Sequence, residues 1–211
     1  VYYYLYFPVL HVTRKHMHWD AGILKEISKL SFLTCAQQSV MNFGILMVQG
    51  LVNSFGTVVM AAFAAAVKID TIAYMPVQDF GNAFSTFVAQ NYGAGKKERI
   101  LKGIKSSVIC VFIFCSIASL LVCIFAEPLM CIFINSSNIG VIREGVRYLR
   151  TEASFYFGIG LLFMFYGYYR AVGRPGISVV LTICSLGTRV VLAYILSAIP
   201  SVGVSGIWAA I

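Results

Sequence analysis

Long apolar runs separated by short polar segments organise this 211-residue chain. Val1 to Val9 reads as the tail of an apolar span, and a polar stretch from His11 to Lys29 follows. From Ser31 to Val67 come 37 residues without a formal charge, too many for one membrane crossing of about 20 residues. Asn53-Ser54-Phe55-Gly56 supplies a turn within that run, so the pattern predicts helices over about 31–53 and 60–92. Gly93-Ala94-Gly95 ends the second helix, and a basic segment, 96–105, follows. Further spans are predicted over about 106–125, 151–169 and 177–199. Gly173-Arg174-Pro175-Gly176 is a tight turn between the last two. Pro200 breaks the chain again, and Gly203 to Ile211 starts another span. The segment Ala126 to Arg150 carries Glu127, Pro128, Glu144 and three arginines. It reads as an outer connection or an interfacial helix with its arginines at headgroups. The expectation is an all-α, polytopic transmembrane helix bundle: about five complete spans, with partial spans at 1–9 and 203–211.

Composition strengthens this picture. Apolar side chains make up 59% and charged ones only 11%, with a mean hydropathy of +0.84. Soluble domains carry roughly 25% charged residues, so lipid is the expected solvent for most of this surface. The chain opens on Val1 without an initiator methionine and reads as a piece of something longer.

The net charge of +8 changes the picture only through its distribution. Eleven of the sixteen Lys and Arg fall in three segments: Arg14, Lys15, Lys25 and Lys29; Lys96, Lys97, Arg99, Lys102 and Lys105; Arg170 and Arg174. Arg143, Arg147 and Arg150 fall on the opposite side. Basic residues in short loops resist translocation, so the three clusters mark the cytoplasmic face of a multi-pass protein of the cell (plasma or inner) membrane. No basic stripe with interleaved aromatics exists on a soluble segment, which excludes nucleic acid as partner. The six cysteines match neither a zinc site nor a disulfide framework and read as small apolar residues.

Polar residues inside the apolar helices carry the functional signal. At about 100° per residue, Gln38, Asn42, Gln49 and Asn53 share an arc of the first complete helix, joined by Ser31. Lys68, Asp79, Asn82, Thr86 and Gln90 share one face of the second; Ser178, Thr182, Ser185 and Arg189 share one face of the fifth. Stripes on otherwise apolar helices converge on a bundle interior or an aqueous cavity, or hold the helices together by hydrogen bonds. Asp79 lies 13 residues, about 20 Å, from Tyr92, and Arg189 lies 13 residues beyond Gly176 on an antiparallel helix. That arithmetic puts the two at one depth, to pair or to face one cavity. Lys68 reaches the outer interface to snorkel, and Asp70 is placed at the same interface.

Several motifs fail. Gly93-Ala94-Gly95-Lys96-Lys97 lacks the spacing of a phosphate loop. His11, His16 and His18 lack further metal ligands. Asn135-Ser136-Ser137 reads as a glycosylation acceptor, informative only in a eukaryotic secretory setting. No nucleophile–base pair or carboxylate pair lies at one membrane depth, so no enzyme is expected, and no cofactor or metal.

Three blocks of sequence together resemble the multidrug and toxic compound extrusion (MATE) family. The first is Ala61 to Asp70 with Met75-Pro76. The second is Ser85 to Gly95, ending in Gln90-Asn91-Tyr92-Gly93-Ala94. The third joins Tyr169 to Pro175 with Arg189 and Gly203 to Trp208. Gln37-Gln38-Ser39 opens the first complete helix in the same family order. The resemblance implies twelve spans in two lobes of six and a sodium- or proton-driven antiporter. This chain looks like the second lobe, from the end of span six to the start of span twelve, and its partner is the missing N-terminal lobe. Some branches of the family place a coupling acid in the seventh span and another in the tenth. Here the seventh carries Gln37, Gln38 and Asn42, and the tenth is uncharged from Ala153 to Tyr169. The coupling carboxylate is therefore expected in the first lobe, and Asp79 is not where the family pattern places an acid.

The expected function is export of amphipathic, cationic small organic compounds across the lipid bilayer. The pathway is assigned to Gln38, Asn42, Gln49, Lys68, Asp79, Asn82, Thr86 and Arg189, with sodium or a proton as coupling ion. Phe80, Phe84, Phe163, Met164, Phe165 and Tyr166 offer adaptable aromatic and thioether surface, or pack helix on helix. The alternatives are a flippase for a lipid-linked polar substrate, which wants a basic cavity, and a non-transporting membrane scaffold. Deep charges such as Asp79 and Arg189 are an expensive feature for a scaffold.

Overall fold

A computed structural model describes residues 19–200 and 202–211, so the partial span at 1–9 and the three histidines lie outside the described residues. Among the described residues seven helices follow one another: α1 Ala21–Asn53, α2 Thr57–Gly93, α3 Lys97–Phe133, α4 Ile139–Ala153, α5 Tyr156–Ala171, α6 Pro175–Ser197 and α7 Val204–Ala210. Three of them, α2, α3 and α6, are long and apolar enough to cross a membrane. The 33-residue α1 is diluted by its amides, and α5 has only 16 residues.

Helix ends follow local chemistry. Asp20 caps α1, its Oδ1 accepting from the Gly22 and Ile23 amides at 2.7 and 3.1 Å, so α1 begins ten residues before the apolar run and takes Lys25, Glu26 and Lys29 into its first turns. The turns after α2 and α5 use one device. Gly95 and Gly173 sit at φ of 70° and 72°, where a side chain would be strained. The following amides, of Lys96 and Arg174, reach back to the carbonyls of Asn91 and Tyr169 at 2.9 Å. These two turns and the start of α1 define one end of the bundle, the basic end.

The segment 126–150 is largely helical: α3 runs on through Pro128 to Phe133, and the amphipathic α4 folds back against it. Gly145 lies under the Met130 side chain, and Arg150 Nε donates to the Cys123 carbonyl at 3.4 Å. The buried face of α4 carries Ile142, Gly145, Tyr148, Leu149 and Glu152, while Arg143, Arg147 and Arg150 line an open groove of about 820 Å³. The expected fourth span, 151–169, takes in the last residues of α4 and most of α5, which meet at Ser154-Phe155.

The core runs along α2, which packs most extensively on α5 and also on α3 and α4, while α1 packs chiefly on α6 and touches α2 sparsely. The closest approach of two backbones at a glycine is Gly81 against Gly167, where a β-carbon on Gly167 would stand 2.5 Å from the Gly81 carbonyl oxygen. Small residues allow such backbone contact between membrane helices, where dispersion replaces the hydrophobic effect as the drive for association. The short α7 is held at the other end by Trp208, stacked 5.8 Å from Phe63 and edge-on 5.0 Å from Tyr148.

Candidate functional site

The divergence of α1 from α2 leaves a cleft between them, floored by α5. At its base is a cavity of about 50 Å³ lined by Thr34, Gln37, Gln38 and Met41 of α1, Gln78 and Asn82 of α2, and Phe163, Tyr166 and Arg170 of α5. Arg170 Nη2 donates to Asn82 Oδ1 at 3.0 Å, and its Nε to the Tyr166 carbonyl at 3.3 Å. The guanidinium is thereby fixed across the floor. Phe163 stacks on Tyr74 and meets Tyr166 edge-on, both with centroids 6.2 Å apart. Amides that accept and donate, two aromatic faces and one oriented cation make a wall able to hydrogen-bond and to stack.

Of the residues singled out in the sequence, Gln38 and Asn82 line this cavity. Asn42, exposed, lies one turn beyond Gln38; Gln49, also exposed, lies 11 residues, about 16 Å, further along α1 from Gln38. Asp79 is exposed one turn from Asn82, outside the cavity wall. Thr86 turns its hydroxyl onto the Asn82 carbonyl at 3.3 Å. Lys68 does not join them: its ammonium lies 5.9 Å above the Phe133 ring at the far end of α3. Of the aromatic set, Phe84 and Met164 are buried in the core, and Phe163 and Tyr166 face the cleft. Ser178 and Thr182 are fully buried and bind backbone, Ser178 Oγ donating to the Tyr166 carbonyl of α5 at 3.3 Å; they fasten α6 rather than line a path.

Arg189 is also elsewhere, and Asp79 is not its partner. Its Nη2 donates to Glu152 Oε1 at 3.3 Å. The reason is stagger. Equal-depth arithmetic treats the basic ends of α2 and α6 as coplanar, but the Arg170–Asn82 bond ties the end of α5 to a point 11 residues, about 16 Å, above Gly93. Fourteen residues up α6 from Pro175, Arg189 therefore comes level with Lys68 to Asp70. Asp70, at that level, is buried inside the bundle, its Oδ1 accepting from the Tyr156 hydroxyl at 2.5 Å.

The sequence reading passed over Arg170, Gln78, Glu152 and Tyr156. Arg170 was absorbed into the basic-loop count. Glu152 stands one residue before the stretch counted as uncharged. For Gln78 the available signal was spacing: it stands four residues before Asn82 on the same helix face.

With the geometry in place, comparison with known proteins gives a consistent result. The family model described as MatE matches residues 31–195. The probable multidrug resistance protein YpnP of Bacillus subtilis is 29% identical over 155 residues, covering 74% of this chain and 34% of the relative. The probable multidrug resistance protein NorM of Thermotoga maritima is 24% identical over 185 residues, covering 87% and 39%. The chain thus spans well under half of these relatives' length. Among solved structures, an outward-facing multidrug resistance transporter of the same family superposes with a TM-score of 0.89 at 20% identity, over 99% of this chain and 47% of that one. A transporter from Pyrococcus furiosus, described as having a binding pocket of reverse polarity, superposes equally well, with a TM-score of 0.89 at 20% identity over 99% and 47%.

Proposed function

Because this chain belongs to the MATE family of membrane transporters, we propose that it forms one lobe of a secondary active antiporter that exports amphipathic organic compounds in exchange for sodium or protons. The observation that carries the proposal is the cleft between α1 and α2. It sets Gln37, Gln38, Gln78, Asn82 and Arg170 beside the rings of Phe163 and Tyr166 on a lobe whose surface is otherwise largely apolar. Few polar groups among aromatic faces suit cargo of mixed polarity. Asn42, Gln49 and Thr86 extend the exposed polar path from this floor, and Asp79 beside it gives a preference for cationic cargo. The other wall belongs to an N-terminal lobe, and alternating access moves the two lobes about the shared cavity. The plasma or inner membrane is the proposed location.

Arg170 favours a second reading. It is the charged side chain in the cavity wall, and a fixed guanidinium suits an anionic or lipid-linked polar headgroup. Another relative, a protein of Shewanella oneidensis named as an FAD transporter, is 27% identical over 126 residues.

The test is cationic-dye accumulation in pump-deficient bacteria expressing the full-length parent, with Asp79→Asn and Arg170→Gln at matched expression. Accumulation below that of cells with empty vector, restored by Asp79→Asn, is the expected outcome. Unchanged accumulation with well-expressed parent protein would move the assignment to anionic cargo.

A further inference from the structure

A second polar cluster lies apart from the cleft, where α2, α4, α5 and α6 meet. Asp70 of α2 is 3% exposed, and Glu152 of α4 is 6% exposed. Asp70 Oδ1 accepts from the Tyr156 hydroxyl of α5, and Glu152 Oε1 accepts from Arg189 of α6. Tyr148, one turn before Glu152, sets its hydroxyl toward Asp70, and Cys123 of α3 stands near Tyr156. These are the titratable groups that face Asp70 from its neighbouring helices. From α7 the contact is Trp208, packed on the Tyr148 ring. Lys68, two residues from Asp70, faces Phe133 instead.

Two atoms of this cluster are buried without a hydrogen-bond partner among the described residues: Asp70 Oδ2 and Arg189 Nε. Buried polar networks that serve structure alone are satisfied, because each orphaned group costs its full desolvation. Two ionised carboxylates against one guanidinium also leave one net negative charge in the cluster. Reflected through the Gly95 turn, Asp70 falls opposite Leu120 of α3. That is six residues, about 9 Å, inside the uncharged stretch Ser106 to Ala126, at a depth where an uncompensated charge is costly. One ligand removes the net charge: a proton on Oδ2 brings the cluster to neutrality and replaces a bare carboxylate oxygen by the less strongly hydrated carboxylic acid. A metal cation fits less well, since the Arg189 guanidinium already occupies Glu152 and repels a second positive charge.

We propose that Asp70 is a reversible proton-binding site, loaded at Oδ2 and held by Tyr156, Tyr148 and the Glu152–Arg189 pair. Protonation forms one O–H bond on a carboxylate lone pair, with the proton drawn from and returned to water. Arg189, whose side chain is 28% exposed on this lobe, is the least buried of the cluster's charged members. That this proton is one exchanged for cargo rests on the antiporter reading above; the binding itself does not.

Infrared difference spectroscopy of the purified full-length protein, between mildly acid and alkaline buffer, reads the carboxylic acid carbonyl band directly. The expected result is a pH-sensitive band lost in Asp70→Asn and kept in Asp79→Asn. Tyr156→Phe should keep the band at a shifted frequency, because the carboxyl loses its hydroxyl partner, and this variant serves if Asp70→Asn does not fold. Absence of any pH-sensitive band, a band unchanged in Asp70→Asn, or one lost only in Glu152→Gln overturns the proposal. So does a sodium-induced signal at constant pH that Asp70→Asn abolishes. Proton-driven dye export is measured separately and should fall to the empty-vector level in Asp70→Asn. An Asp70 band in a protein that exports nothing under any gradient would uphold the proton site and refute the antiporter reading.

Discussion

Replacing Gly167 by alanine tests whether the α2–α5 backbone contact holds the floor of the cleft. The new β-carbon would stand 2.5 Å from the Gly81 carbonyl oxygen, and that obstacle is backbone, which cannot rotate away. Ordinary contact begins near 3.4 Å, so the helices must part by about 0.9 Å. A shift of that size carries the Arg170–Asn82 bond, now 3.0 Å, beyond hydrogen-bonding reach. Overpacking of this kind costs about 1–3 kcal/mol, while removing a helical glycine returns roughly 0.5–1 kcal/mol. Gly158, on the same helix with nothing within 4 Å of its β-carbon position, provides the control, because its alanine variant gains the second effect without the first. Full-length protein in detergent would be heated in steps and the surviving monodisperse fraction measured by size-exclusion chromatography. Gly158→Ala should match or exceed the parent, and Gly167→Ala should lose its peak several degrees earlier. Equal melting of the two variants would refute the close-contact account.

Two further outcomes follow from buried groups. Arg189→Met strands Glu152 in the core and should destabilise by about 3–5 kcal/mol, whereas Arg189→Met with Glu152→Gln should recover most of that loss, read by the same heating assay. Trp208→Ala removes a fully buried ring and its bond to Glu144 Oε2 at 3.4 Å, costing about 3–5 kcal/mol. Limited proteolysis should then cut first around α7.

Much of the bundle was legible because each signal was local. The long apolar runs, broken by their turn residues, marked α2, α3 and α6, and the Gly95 and Gly173 stops needed only the φ their turns require. The α4 fold-back was not legible, since its evidence is a tertiary fit: a glycine beneath Met130 and an arginine reaching Cys123. In the cleft, Gln38 and Asn82 were found from their stripes. Arg170 was missed because a basic residue at a helix end carries the same sequence signature whether it marks topology or lines a cavity. Arg189 was set level with Asp79 for want of a single quantity, the offset between helices, which no periodicity within one helix encodes.

The joint at Ser154-Phe155 has a mechanical consequence. Above it, α4 is riveted to α3 through Met130 over Gly145; below it, α5 is riveted to α2 through Gly81 against Gly167. The close-packed anchor thus passes from α3 to α2 across a two-residue joint, while α4 also packs on α2 and α5 on α3. The four helices are cross-braced there, so α2 and α3 cannot slip past one another without straining both halves. Asp70, bonded to Tyr156 on one half with Tyr148 of the other turned toward it, sits where such strain would be felt first.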